Sequence, residues 1–383
     1  MEKKHQYDWL DLIRGMAALA VFTGHLRIIC FRDVEVGTLN LIGKATFFLT
    51  GFGHLAVIIF FVLSGFLIIK SIHESVMKNK WNTLNYSQNR FFRLWVVLIP
   101  CLILGLIIDR IGIQYYGQSL FYSNHWKYFI GQDIQNKLTA TIFIGNALFV
   151  QKILVPTLGS NAALWSLANE FWYYVIFPLF YFASIDRLQI YYRIGFALLG
   201  IGLLFFVGKE IAITFPMWLA GGLSYIIVKK VNEKYLKNKI LLILFLGLFL
   251  LSMLFNRMRI QMDIFNFYTI SFLFALAIPF LINVSMKNSL IKAISTYFSN
   301  ISYTLYLAHL PIIYLVTSII GFQDKLWSTQ NFLLFLVLTI GTLAYSTLIW
   351  YIFERNTKKI RAWITNDKGG KGLTKPVSTS NNS

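Results

Sequence analysis

The chain has 383 residues, 57% of them hydrophobic and only 13% charged, with a formal net charge of +19. That balance excludes a soluble enzyme and describes a polytopic membrane protein. The surplus of Lys and Arg does not call for a nucleic-acid partner, because basic side chains also orient membrane helices.

Cys30 and Cys101 lie in different apolar segments. They give neither a disulfide framework nor a zinc spacing, and no metal is expected. About ten segments are long enough to span: 9–30, 46–69, 94–112, 163–183, 194–208, 211–228, 240–255, 264–284, 296–320 and 331–353.

The first segment is interrupted by Arg14 and reads as a retained helix, not a cleaved signal peptide. Arg14 and His25 stand eleven residues apart in it. At about 100° per residue, eleven steps return almost to the starting face and advance roughly 16 Å along the axis. A charge near one edge of the bilayer therefore lines up with a titratable group nearer the other. Ionisable groups inside a span are expensive, so the default reading is functional. A neutral imidazole at His25 can take a proton from a hydroxyl and return it to a leaving group. The competing reading is a histidine bonded to a backbone carbonyl at the outer interface. Asp11, three residues before Arg14, offers it an ion pair across a helical turn.

The second segment ends Phe60-Phe-Val-Leu-Ser-Gly-Phe66. Ser64 and Gly65 would let a ligand or another backbone approach closely, and small-residue helix packing is the alternative. The next loop carries Arg90-Phe-Phe-Arg93. Arginines three apart share a helix face, and their guanidinium forks suit phosphate groups. An anchor on the inner surface would look the same.

The longest loop, 113–162, holds Tyr115, Tyr116, Phe121, Tyr122, His125, Trp126, Tyr128 and Phe129. Its apolar piece from Leu138 to Val150 is too short to span easily and reads as interfacial or re-entrant. The fourth segment then begins Leu164-Trp-Ser-Leu-Ala-Asn-Glu170-Phe-Trp-Tyr-Tyr174. Ser166, Glu170 and Tyr173 fall on one face, with Trp165, Asn169 and Trp172 as an adjacent stripe. The Glu170 carboxylate needs a partner or a proton. It could fix the tautomer of His25, as the orienting acid does in hydrolytic triads, or bind a sugar hydroxyl. The aromatics could stack on a pyranose, although an interfacial belt also explains them.

The ninth segment carries Ile301-Ser-Tyr-Thr-Leu-Tyr-Leu-Ala-His309-Leu-Pro311. Ser302, Tyr306 and His309 share a face, and Pro311 frees backbone groups at depth. Tyr306 and His309 are candidates to bind substrate. A helix-to-helix hydrogen bond is the alternative for His309. Beyond it, residues 366–383 are rich in Gly, Ser, Asn and Lys and read as a disordered cytoplasmic tail.

With the N-terminus inside, inner segments carry about 23 Lys and Arg and outer segments about 11. Both termini are therefore expected in the cytoplasm, with much of the charge serving topology and contact with anionic membrane lipids. The fold class is all-α integral membrane, one bundle of about ten transmembrane helices.

In this order, the motifs resemble the membrane-bound acyltransferase-3 family, whose bacterial members acylate surface polysaccharides. The resemblance rests on Leu10 to Arg14 with His25, Phe60 to Phe66, Arg90 to Arg93, Trp165 to Glu170 and Ser302 to His309. It makes residues 1–365 one transmembrane acyltransferase domain. It implies that Arg14 and His25 are the family's essential pair and that Arg90 and Arg93 are its RxxR. It also implies a cytoplasmic acyl-coenzyme A donor, most often acetyl-CoA. The resulting expectation is a multi-pass enzyme of the bacterial inner membrane that O-acetylates a surface polysaccharide or lipid-linked glycan. In it His25, Arg14 and Glu170 would be catalytic. Arg90, Arg93, Arg14, Ser64 and Gly65 would hold the donor, and Trp165, Asn169, Trp172, Tyr306 and His309 the acceptor. A homo-oligomer is compatible with this reading. A flippase of lipid-linked sugars, or a non-catalytic part of a polysaccharide assembly complex, are the other classes; the flippase predicts paired inverted repeats.

Overall fold

A computed structural model describes residues 7–31, 39–123, 133–258, 263–321 and 326–365. The expected tail at 366–383, and His125, Trp126, Tyr128 and Phe129 of the long loop, lie outside the described residues. Regular structure among the described residues is helical, beside one isolated bridge between Gln151 and Val155.

In chain order the helices are α1 (Asp8–Cys30), α2 (Leu41–Leu49), α3 (Gly53–Met77), α4 (Thr83–Tyr116), α5 (Ala140–Ala147), α6 (Trp165–Ala183) and α7 (Ile190–Lys230). They continue with α8 (Glu233–Leu236), α9 (Lys239–Met258), α10 (Ile264–Leu281), α11 (Ser289–Ile320), α12 (Thr329–Ile352) and α13 (Thr357–Ile364). Several starts are set by side-chain oxygens that accept the orphan N–H groups of the first turn. Asn40 accepts from Gly43, Asn82 from Asn85, Asn288 from Leu290 and Ile291, and Ser328 from Asn331.

Among the described residues, eight helical stretches are long and apolar enough to cross a bilayer. The two segments expected at 194–208 and 211–228 lie in one continuous stretch, α7. It is broken at Gly208, whose φ of 80° and ψ of 172° are not helical. The fourth expected segment is α6, a 19-residue helix whose polar first turns dilute its hydropathy. α4 runs well past the expected 94–112 at its N-terminal end, so Arg90 and Arg93 are helical.

Three of the five prolines inside these helices are stitched to neighbouring segments. A proline removes one backbone bond and leaves the carbonyl four residues earlier without its donor. Pro178 releases Tyr174 C=O, which accepts from the Tyr86 hydroxyl at 3.0 Å. Pro279 releases Ala275 C=O, which accepts from Ser224 Oγ at 2.7 Å. Pro311 releases Leu307 C=O, which accepts from Asn161 Nδ2 at 2.7 Å. In each case another segment supplies the missing donor, as a bilayer interior without water demands.

α1 packs against α11 along its length and against α3. α1 and α11 run parallel: Asp8 C=O accepts from Ser295 Oγ, Arg14 reaches Ser299, and His25 meets His309. Gly15 permits this closeness, since a Cβ there would sit 2.6 Å from Phe298 Cβ.

The long loop folds back onto the bundle. Its short helix α5 is eight residues long, about 12 Å, far below a membrane crossing. Asn146 holds the loop together through Pro156 C=O and Leu158 N–H. Buried Asp109 of α4 accepts from Ser160 N at 2.8 Å, Ser160 Oγ at 2.7 Å and Tyr122 OH at 3.3 Å. This clamp leads into the start of α6 and, through Asn161, ties the long loop to the Leu307 carbonyl of α11.

Candidate active site

Five helices, α1, α3, α4, α6 and α11, line a cavity of about 100 Å³. Its lining brings together Arg14, Ser64, Arg90, Arg93, Glu170 and Tyr306, all named from the sequence, with Ser166, Tyr174, Ser302 and Tyr303. Residues far apart in the chain meet here because α1 packs on α11 and α3, α11 packs on α4, and α6 touches α3 and reaches α11 through Ser166 and Tyr306.

Arg14 is held at the cavity wall. Its Nη1 donates to Asp11 Oδ1 at 3.2 Å and to Ser299 Oγ at 3.3 Å, and Ser299 Oγ donates to Asp11 Oδ1 at 3.0 Å. The ion pair anticipated across the helical turn therefore exists, and the guanidinium still faces the cavity. Arg93 is exposed to that space although it lies among five helices. Arg90 donates to Ser71 Oγ at 3.3 Å.

Glu170 accepts from Ser64 Oγ at 3.3 Å and from the Tyr174 hydroxyl. Ser64 Oγ lies 3.1 Å from Tyr174 OH and accepts from Trp218 Nε1 at 3.2 Å. The cavity-facing stripe of α6 is thus Ser166, Glu170 and Tyr174, at intervals of four. Tyr173 turns instead to α7, where its hydroxyl donates to Ile211 C=O at 2.8 Å. The sequence reading missed Tyr174, and extending the four-residue spacing by one step would have found it. It also missed Tyr303, whose hydroxyl donates to Leu94 C=O at 3.0 Å.

The expectation that Glu170 orients His25 is corrected. His25 Nδ1 and His309 Nε2 are 2.8 Å apart, and the rings meet edge to edge and nearly coplanar, with centroids 5.1 Å apart and 17° between planes. His309 Nδ1 lies 2.9 Å from Leu305 C=O, an acceptor only. The tautomers follow from these two contacts. His309 donates from Nδ1 to Leu305, so its Nε2 accepts. His25 then donates from Nδ1, and its Nε2 carries the lone pair. His309 is fully buried, so its surroundings match a partner of His25 and not the substrate contact expected of it.

Tyr306 stands between the cavity and the histidines. It lines the cavity, its hydroxyl lies 2.7 Å from Ser166 Oγ, and its ring is 6.3 Å from His309 and 6.2 Å from Phe60.

Four further expected contacts are placed elsewhere. Gly65 serves helix packing: a Cβ there would meet Trp218 C=O at 1.9 Å. Asn169 donates to Thr214 Oγ1 at 2.9 Å and so ties α6 to α7. Trp172 Nε1 donates to Phe149 C=O at 2.9 Å, anchoring the long loop. Trp165 packs edge-on to Phe61 with ring centroids 6.4 Å apart. Among the described residues, no group of His, Cys, Asp and Glu could hold a metal ion.

A family model described as an acyltransferase domain matches residues 7–351. The chain belongs to that acyltransferase-3 family. It is 28% identical over 171 residues to acyltransferase MdmB of Streptomyces mycarofaciens, covering 44% of this chain and 38% of that protein. It is 29% identical over 182 residues to an O-acetyl transferase of Shigella phage Sf6, covering 45% of each. The matched regions thus span less than half the length of either relative. No solved structure matches. Family and helices together make this a multi-pass membrane protein of an acyltransferase family.

Proposed function

We propose that this chain is an O-acetyltransferase of the bacterial inner membrane, moving an acetyl group from cytoplasmic acetyl-CoA to a hydroxyl of an extracytoplasmic glycan. The observation that carries this reading is the cavity lined by Arg14, Arg90, Arg93 and Tyr306, with the Tyr306 ring 6.3 Å from His309, the partner of His25. The printed name of the phage relative supports O-acetyl transfer. The excess of Lys and Arg in alternate connections supports ten passages with both termini in the cytoplasm. α6 counts as one passage and the two halves of α7 as two.

The donor is charged and confined to the cytoplasm. Arg90 and Arg93 hold its phosphates with charge-assisted hydrogen bonds. The thioester arm extends past Arg14 and Ser64 toward Tyr306. It need cover only about half of the ~30 Å hydrocarbon core. The acceptor hydroxyl arrives from the other side, a surface polysaccharide or a lipid-linked glycan.

His25 Nε2 removes the proton from that hydroxyl as its oxygen attacks the thioester carbonyl. The new C–O bond forms, the C–S bond breaks, and the imidazolium returns the proton to the thiolate. The products are the ester and free thiol. His309 orients the base by accepting from Nδ1 and stabilises the imidazolium that forms. Glu170 belongs to the cavity wall, where it positions Ser64 and Tyr174.

The test uses purified protein in lipid nanodiscs with acetyl-CoA and surface glycan isolated from the host. Consumption of acetyl-CoA with acetate appearing on the glycan supports the reading. Movement of lipid-linked sugar without acetyl transfer would replace it with a flippase.

A further inference from the structure

A second chamber of about 640 Å³ opens beside the donor cavity, between α4, α6 and the start of α7. Arg90 and Tyr174 line both spaces. The hydroxyl of Tyr86 crosses from α4 to Tyr174 C=O, so the threshold between the two is tied to the carbonyl that Pro178 leaves without a helical donor.

The chamber's walls are unusual for a space that continues an arginine-rich site. Polar surface is scarce and aromatic rings dominate. At the end nearest the α3–α4 connection, Trp81 lies 5.0 Å from Tyr86 and 5.2 Å from Phe182, ring centroid to centroid. The Arg90 guanidinium sits 5.5 Å from the Tyr86 ring centroid, a cation–π contact at the threshold. Trp81 is pinned by a 3.0 Å bond from Nε1 to Thr83 Oγ1. An acyl tail needs apolar wall but no arginine at its mouth. A flat, weakly polar heterocycle attached to phosphates needs both.

We infer that this chamber receives the adenine ring of the donor, with Trp81 and Tyr86 as its stacking platform and Arg90 between base and phosphates. The inference rests on the acyl-coenzyme A reading above. Geometry selects the base over the rest of the donor. Phosphates held at Arg90 and Arg93 send the thioester arm one way, toward Tyr306, and leave the nucleoside to turn the other way. Stacking on an aromatic ring also suits adenine without requiring base-edge hydrogen bonds.

The experiment measures binding of coenzyme A, adenosine 3′,5′-bisphosphate and 4′-phosphopantetheine to the full chain in nanodiscs. By the usual strength of base–aromatic stacking, Trp81→Ala should weaken the bisphosphate about tenfold or more. It should leave 4′-phosphopantetheine unchanged, and Trp81→Phe, which keeps a ring, should stay close to wild type. Equal affinity of Trp81→Ala and wild type for the bisphosphate overturns the inference and leaves the donor reading standing. An equal loss for 4′-phosphopantetheine also overturns it, because the effect would then be structural. So does a co-purified lipid that competes with no nucleotide and is lost in Trp81→Ala. If wild type binds neither coenzyme A nor the bisphosphate, the donor reading itself fails.

Discussion

The two ends of α1 hold their polar side chains in opposite ways. Arg14, near the N-terminal end, is braced by Asp11 and Ser299 but faces a cavity shared with Arg90 and Arg93. His25, near the other end, is matched to a fully buried imidazole whose remaining nitrogen is spent on Leu305 C=O. One end gathers positive charge around a space; the other joins two imidazoles by a hydrogen bond. On the proposed function, a single helix thus separates a binding problem, solved with charge and space, from a chemical one, solved with orientation.

The sharpest way to break that comparison is His25→Ala. Positioned proton transfer contributes about 10²- to 10⁴-fold, so kcat for glycan acetylation should fall by that factor while membrane insertion survives. Normal turnover would end the proposed role. Next comes Arg90→Ala combined with Arg93→Ala. Charge-assisted hydrogen bonds are worth about 1.5–3 kcal/mol each, so coenzyme A should bind about 100-fold more weakly, with kcat at saturation nearly kept. Unchanged affinity by calorimetry would remove the phosphate clamp.

A smaller effect is expected at His309. Losing the acceptor for His25 Nδ1 should lower kcat about tenfold in His309→Ala, with the donor KM unchanged. Paired with His25→Ala, it should add almost nothing further, because residues acting as one unit are non-additive. His309→Gln, whose amide oxygen can accept, should recover part of the loss. An additive double variant would show that His309 acts elsewhere. The mildest test lies outside the chemistry. Asn161→Ala leaves the carbonyl released by Pro311 unsatisfied, a loss of about 1–3 kcal/mol of stability, read as a lower thermal midpoint in detergent. Donor affinity should hold, since the arginines sit on other segments.

Much of this architecture was legible because it is written in local pattern. Spans follow from runs of apolar residues, and the register of Arg14 with His25 follows from 3.6 residues per turn. Ser166 and Glu170 were likewise found by spacing. What failed was pairing between segments. Nothing in the Trp165–Tyr174 stretch says that Asn169 will face Thr214, or that Trp172 will reach Phe149. The choice between Glu170 and His309 as partner of His25 needed the parallel packing of α1 on α11, which no single-helix periodicity contains. Gly65 was ambiguous for the same reason, since close packing and ligand access ask for the same small residue. α7 differs in another way: Lys209 and Glu210 divide the sequence into two apolar segments, yet the helical stretch runs on across them, broken only at Gly208.

The Tyr306–Ser166 contact, backed by the Phe60 ring, also bears on the cell's energy supply. A bacterial membrane stores work as voltage, and each elementary charge crossing it releases about 2.3 kcal/mol per 100 mV. On the proposed topology, with donor entering from one face and acceptor from the other, the closed Tyr306–Ser166 contact would keep ions from following the substrates, so that an acetyl group could be passed outward without discharging the battery.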